Sequence, residues 1–143
     1  MSTSGSSLPE LLTVIALVAL VSLLGVPSLR YAMDRRMVEN AVQQVIQAHT
    51  EARMLAIESQ RTSLLTIAAD SIVLRNARDG DTTLVWRRPG PRALGVDVTG
   101  PTHLFRLIPY GYSIGASNAS YTFTRGSATR KVIIARYGRI RVQ

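Results

Sequence analysis

The chain has 143 residues, enough for one domain and one appended element, and its 46% apolar content excludes an intrinsically disordered protein. It contains no Cys and 2 His, which excludes disulfides, thiolate zinc sites, iron–sulfur clusters, a cysteine nucleophile and a three-histidine metal site. Lys and Arg outnumber Asp and Glu by 17 to 9, for a net charge of +8. The composition therefore indicates a non-enzymatic protein and predicts no cofactor.

An uncharged apolar stretch extends from Leu11 to Leu29. As a helix it would be about 28 Å long, close to the thickness of a bilayer core. We therefore predict a membrane-spanning helix over residues 6–29 rather than a buried core helix. A cleaved secretory signal peptide fits poorly, because no Lys or Arg precedes the stretch and no small-x-small cleavage site follows it.

Residues 30–61 continue the helical pattern with a different surface. Apolar residues recur at offsets of three and four, the spacing of one face of an amphipathic helix. The first 60 residues are therefore predicted to form one long helix, with its first half in lipid and its second half packed on a domain. The apolar positions are Met33, Met37, Val38, Ala41, Val42, Val45, Ile46, Ala48, Ala52 and Leu55.

One charged residue, Glu10, stands at the start of the apolar stretch. A carboxylate in a hydrocarbon core costs about 2.5–3.5 kcal/mol, so it is expected to have a partner. The segment Gly5–Leu12, together with the apolar stretch and Pro27, resembles the N-terminus of type IV pilins and type II secretion pseudopilins.

This resemblance implies a route of processing and assembly. Prepilin peptidase would cut after Gly5 and methylate Ser6, which stands where the family usually has Phe. Glu10 would pair with the N-terminal amine of a neighbouring subunit, and Pro27 would occupy the helix-kinking position. The resemblance also implies a single-pass inner-membrane protein, with its globular domain in the periplasm or on an extracellular filament. The Arg residues after the span would, by charge alone, place that domain in the cytoplasm.

Residues 62–143 contain short apolar segments separated by turn residues, which predicts antiparallel strands. The predicted fold class is α+β, with the sheet packed on the second half of the long helix. Residues 115–120 are small and polar and predict a loop. The candidate strands are Ser63–Ala68, Ser71–Arg75, Thr82–Arg87, Ala93–Val98, Leu104–Leu107, Tyr121–Thr124, Lys131–Ala135 and Arg139–Val142.

Charge is distributed unevenly along the chain. All nine acidic residues lie at or before Asp97, whereas residues 98–143 contain seven basic residues and no acid. Such a segment suggests an anionic partner, although a generally Arg-rich composition would also produce it.

The C-terminal segment Arg130–Arg141 resembles the terminal β-hairpin of the GspH/FimT group of minor pseudopilins, and residues 51–57 resemble the helix end of that group. Some members bind DNA in natural transformation through a Gly-Arg-x-Arg motif, which falls here on Gly138, Arg139 and Arg141. The residues of the implied DNA site are Arg130, Lys131, Arg136, Gly138, Arg139 and Arg141.

The hairpin residues themselves allow two interpretations. In a strand, Arg139 and Arg141 share one face, so both guanidinium groups can meet phosphates. If Tyr137-Gly138 forms a two-residue turn, Arg136 lies opposite Arg139, which is unfavourable without a nearby anion. The segment Trp86–Arg92 could add charge and a stacking aromatic ring. The alternative is an edge strand whose Arg residues prevent aggregation or contact a protein partner.

Three other patterns predict no site. Gly111–Gly115 matches Gly-x-Ser-x-Gly, but no His or acid follows Ser113 in the chain to act as its base. Asp79 and Asp81 are more typical of a hairpin turn than of a Ca²⁺ site. His49 and His103 are interpreted as packing or surface residues, so no metal site is predicted.

Together, the two resemblances imply a minor pseudopilin of the GspH/FimT type that acts in assembly of a type II secretion or type IV pilus filament. Its expected partners are other pilins or pseudopilins, prepilin peptidase and the inner membrane. One alternative is a minor pilin that captures extracellular double-stranded DNA through residues 138–141; another is a membrane-anchored domain that never enters a filament. The predicted regions are a leader (1–5), a transmembrane or filament-core helix (6–29), its amphipathic continuation (30–61) and a β-rich domain with a basic hairpin (62–143).

Overall fold

The computed structural model describes residues 7–78, 80–114 and 118–143. The chain divides into two units, Met1–Met33 and Asp34–Gln143. A single helix, α1 (Leu8–Ser59), begins in the first unit and ends in the second. The predicted long helix is therefore confirmed, and its backbone is helical at Pro27.

Within the second unit, α1 buries the face that the sequence pattern predicts. Small side chains dominate that face, which allows the sheets to approach the helix closely. His49 lies among them and is 1% exposed. Met33, which was predicted on the same face, belongs to the first unit and is 51% exposed. The buried apolar residues of α1 are Val38, Ala41, Val42, Val45, Ala48, Ala52 and Ala56.

The second unit contains two antiparallel sheets. The first has the strand order β3-β2-β1-β5-β6 and the second has the order β4-β7-β8-β9. The strands are β1 (Ser63–Ile67), β2 (Ser71–Arg78), β3 (Asp81–Pro89), β4 (Asp97–Thr99), β5 (His103–Leu107), β6 (Ser113–Ile114), β7 (Ala119–Arg125), β8 (Ala128–Ile134) and β9 (Ile140–Val142).

Both sheets contribute alternate side chains to one core with α1, as expected for strands with one buried face. The first sheet supplies residues such as Leu65, Leu74 and Phe105, and the second supplies residues such as Phe123 and Val132. The α+β fold class, with antiparallel sheet packed on the second half of the helix, is therefore confirmed.

The main departure from the predicted strands lies at residues 91–99. The predicted strand Ala93–Val98 is replaced by a 3₁₀ helix, Pro91–Leu94, followed by the short strand β4. Pro91 suits the first helical position, and Gly95 ends the helix at φ 66°, a conformation that Gly adopts without strain.

Smaller differences concern strand ends and one unpredicted strand. Strand β7 begins at Ala119, within the segment 115–120 predicted as a loop, and residues 115–117 lie outside the described residues. Strand β8 begins at Ala128, three residues before the predicted start. Strand β2 extends to Arg78, three residues beyond the predicted end at Arg75, and Asp79 lies outside the described residues. Strand β6 was not predicted, because two residues carry no periodicity.

Candidate functional site

The start of α1 presents Glu10 within an apolar surface. Glu10 is exposed in the first helical turn, where a carboxylate interacts favourably with the helix dipole. The large apolar side chains around it are all more than half exposed: Leu8, Leu11, Leu12, Val14, Ile15, Leu17, Val18, Leu20 and Val21. This unit therefore presents an unburied apolar surface with a single carboxylate near its beginning.

The membrane span and the processing site of this region stay predictions. Among the described residues, no helix has an apolar window that is long enough for a membrane span. Gly5 and Ser6, the predicted cleavage and methylation positions, lie outside the described residues.

The C-terminal hairpin joins β8 to β9 through a three-residue loop, Arg136–Gly138. The amide of Ala135 donates to the carbonyl of Arg139 at 2.8 Å, and the amide of Gly138 donates to the carbonyl of Ala135 at 2.9 Å. Gly138 has φ 77°, which is the left-handed position of this loop type. Arg139 therefore lies opposite Ala135. Tyr137-Gly138 does not form a two-residue turn, so Arg136 does not lie opposite Arg139.

Three of the predicted DNA-binding residues lie on one exposed face, which we call the basic face: Lys131, Arg139 and Arg141. Arg141 pairs with Ile133 in the register, so Lys131 is its diagonal neighbour across β8 and β9. Ile140, opposite Ile134, lies on the other side against the core. Within the described part of the chain, no carboxylate lies within 4 Å of the three basic side chains.

The other predicted residues of this site lie elsewhere. Arg130 has the same strand parity as the buried Val132, so it points toward α1, where its Nε lies 3.8 Å from Oε2 of Glu39. Arg136 is exposed in the hairpin loop, and its carbonyl accepts a hydrogen bond of 3.0 Å from the amide of Ser113. The structure therefore separates Arg130 from the basic face and places Arg136 at its end.

The segment around Trp86 does not provide a free stacking ring. Trp86 is partly buried on β3, and the guanidinium carbon of Arg88 lies 4.1 Å from the centroid of its indole. Arg88 also forms an ion pair of 2.9 Å with Glu51, and Arg92 forms one of 2.7 Å with Asp70. These charges are thus engaged within the molecule.

A surface that the sequence analysis missed adjoins the hairpin loop. Tyr110, Tyr112 and Tyr137, which we call the tyrosine tip, are 82%, 39% and 77% exposed. The available signal was the repeated dipeptide Tyr-Gly at residues 110–111 and 137–138. Nothing in the sequence indicated that the two copies would lie side by side.

The buried polar residues of the core include His49 and Ser113. Burial, with a smaller contribution from the charge of Arg53, lowers the pKa of His49 from 6.5 to about 4, so the imidazole is neutral at pH 7. Its ring packs edge-on against Phe105 at 5.8 Å, which confirms a packing role. Ser113 is 2% exposed, and no group of three or more His, Asp or Glu is close enough to hold a metal among the described residues.

Comparison with known proteins identifies the fold. No protein-family model and no characterised protein sequence matches the chain. Two crystal structures of the type IV minor pilin FimU from Pseudomonas aeruginosa PAO1 are similar to it. The structure in space group P21 is 13% identical with a TM-score of 0.63, and the alignment covers 76% of this chain and 90% of that chain. The structure in space group P65 is 11% identical with a TM-score of 0.59, and the alignment covers 73% and 91%. The chain therefore has the fold of a type IV minor pilin.

Proposed function

We propose that this protein is a minor pilin-type subunit of an inner-membrane-anchored filament. The observation that carries the proposal is the combination of a pilin fold with an N-terminal helix whose apolar side chains are exposed around Glu10. A protein does not normally leave so much apolar surface in water. In this proposal the surface is stored in the bilayer and then packs against the same helix of neighbouring subunits.

The N-terminal residues have separate roles in this route. Prepilin peptidase cuts after Gly5 and methylates Ser6. Glu10 then pairs with the N-terminal amine of a neighbouring subunit, which compensates the cost of holding a carboxylate in an apolar bundle. Pro27 removes one backbone donor from the helix and favours a bend there.

The subunit acts in filament assembly rather than in chemistry, as a member of the GspH/FimT group within a type II secretion or type IV pilus system. Its globular domain is exposed in the periplasm or on the extracellular filament. The β9 edge and the hairpin loop are then available to a partner.

The test is incorporation of the full-length chain into filaments sheared from its native host. Glu10→Gln removes the charge with little change in shape, so the variant is expected to stay in the membrane fraction and to be absent from filaments. Glu58→Gln, an exposed carboxylate near the other end of the same helix, is the matched control and should incorporate normally. Normal incorporation of Glu10→Gln would contradict the proposed role of Glu10.

A second function, capture of extracellular DNA, is supported by the basic face. Lys131 on β8 lies beside Arg139 and Arg141 of the edge strand segment 139–142. All three are exposed and have no carboxylate within ion-pair distance in the described structure. Clustered cations without a local counter-charge favour phosphate contacts that do not depend on sequence.

A further inference from the structure

The tyrosine tip is built by two loops that hold each other in place. In the first, Ile108–Tyr112, the amide of Ile108 donates to the carbonyl of Tyr112 at 3.1 Å and the amide of Gly111 donates to the carbonyl of Ile108 at 2.8 Å. The second is the hairpin loop, whose Arg136 carbonyl accepts from the Ser113 amide at 3.0 Å. Backbone hydrogen bonds therefore fix the two Tyr-Gly pairs next to each other.

The two glycines allow this close approach. Gly111 and Gly138 both have positive φ, 80° and 77°. A side-chain carbon added at Gly138 would lie 3.5 Å from the carbonyl oxygen of Gly111, and one added at Gly111 would lie 3.0 Å from Nε of Arg53. The guanidinium of Arg53 thus reaches from α1 to the place where the loops meet.

Two of the three aromatic rings of the tip, those of Tyr110 and Tyr137, remain largely in solvent. Tyr110 and Tyr137 are the two most exposed aromatic side chains of the tip, and the ring of Tyr110 lies nearly parallel to that of Tyr112, at 22° with centroids 6.3 Å apart. Aromatic faces presented in this way, beside exposed Arg53 and Arg136, form the combination by which proteins bind unpaired bases and their phosphates.

We propose that the tyrosine tip binds unpaired bases at the end of a DNA strand, while the adjacent basic face holds phosphates. This inference rests on the proposed capture of DNA and adds a preference for single-stranded over double-stranded DNA. The basic face alone distinguishes poorly between single and double strands, since both carry the same phosphates. Stacking requires exposed base faces, so the tip favours single strands or frayed ends.

The test measures binding of the full-length chain, in a nonionic detergent, to a fluorescent oligothymidylate and to a blunt duplex of the same length. The double variant Tyr110→Leu, Tyr137→Leu should weaken single-strand binding by about tenfold or more, as expected for the loss of stacking. Its duplex binding should match that of the wild type. The matched variant Tyr110→Phe, Tyr137→Phe keeps both ring faces and should retain single-strand binding, and Tyr31→Leu, a half-exposed tyrosine on α1, should change neither.

Each outcome separates this inference from the function on which it rests. Suppose that the wild type binds both DNAs and that the leucine variant loses affinity for both equally, or for neither. The tyrosine tip is then not a base-binding surface, whereas DNA capture by the protein stands. No binding of either DNA by the wild type overturns both. A third outcome is that a poly-glutamate peptide binds as well as the oligothymidylate and depends on the same tyrosines. This outcome overturns the assignment to DNA in favour of an acidic protein partner.

Discussion

Arg125, at the end of β7, donates from Nε to Oδ1 of Asp34 on α1 at 2.9 Å, and its Nη1 donates to the carbonyl of Leu94. The pair is only partly exposed, with side-chain accessibilities of 33% and 25%. One guanidinium thereby connects the helix, the second sheet and the 3₁₀ helix. No other ion pair in the described residues joins three elements in this way.

Arg125→Ala should lower the free energy of unfolding by about 2 kcal/mol, because it removes charge-assisted hydrogen bonds and leaves Asp34 and the Leu94 carbonyl without a donor. Arg92→Ala, which breaks the exposed pair with Asp70, should cost less than about 1 kcal/mol. Thermal unfolding of the two variants measures the difference. Equal stability of both variants would show that Arg125 contributes no more than a surface ion pair.

Ala52→Leu should destabilise the protein by about 1–3 kcal/mol, because Ala52 is fully buried where α1 packs on the sheets and a larger side chain must displace core atoms. Met54→Leu, at a position that is 50% exposed, should stay within about 0.5 kcal/mol of the wild type. Denaturant unfolding followed by circular dichroism compares them. A neutral Ala52→Leu variant would mean that the helix face is less tightly packed than described.

The long helix and its buried face could be predicted because apolar residues recur at helical spacing along it. Val38, Val42 and Ala52 are buried as that spacing requires. Strands β1, β2, β3 and β5 of the first sheet were also predicted within a few residues, whereas β6 was not. The segment from Pro91 to Thr99 was not, since the short mixed stretch Ala93–Val98 is compatible with either a strand or a tight helical turn.

The site was predictable only in part. The alternation of residues 139–142 correctly placed Arg139 and Arg141 on one face. The loop has three residues rather than the two considered for Tyr137-Gly138, so Ala135 and not Arg136 lies opposite Arg139. The contact between Gly111 and Gly138 joins residues 27 positions apart, and no local pattern encodes such a contact. Arg130 was grouped with the basic face by sequence proximity, although strand parity directs it toward Glu39.

The free energy of unfolding should decrease as the pH falls, because His49 takes up a proton more readily in the unfolded chain than in the folded protein. The pKa of His49 in the folded state, about 4, is below its ordinary value of 6.5, so the unfolded chain takes up a proton first as the pH falls. Stability is fully present above the unfolded pKa and is lost as the pH falls toward the folded pKa. Between about pH 7 and about pH 5 the loss should approach about 2 kcal/mol.

The measurement is the pH dependence of thermal unfolding for the wild type and for His49→Leu, which cannot take up a proton. The variant should show a distinctly smaller loss of stability over this pH interval, whatever its stability at neutral pH. Parallel profiles for the two proteins would exclude His49 as the source of the acid sensitivity.

Substitution of the basic face should weaken duplex DNA binding and reduce its salt dependence. Arg139→Ala with Arg141→Ala removes two phosphate contacts, so the slope of log K against log salt should become shallower by roughly two units. Arg75→Ala with Arg106→Ala is the matched control, since both residues are exposed and flank Leu64 on the first sheet. Equal effects of the two double variants would indicate that net charge, not this face, governs binding.

The most direct test of the filament proposal is photo-crosslinking from Leu17, which is 57% exposed on the apolar surface of α1. With a photoreactive residue at this position in the full-length chain, we expect crosslinks to the N-terminal helices of other pilin subunits in sheared filaments. The same probe at Arg75, on the outer face of the first sheet, should not give those crosslinks. Crosslinks from Leu17 to lipid alone, in cells that assemble filaments normally, would show that this helix does not pack in the filament.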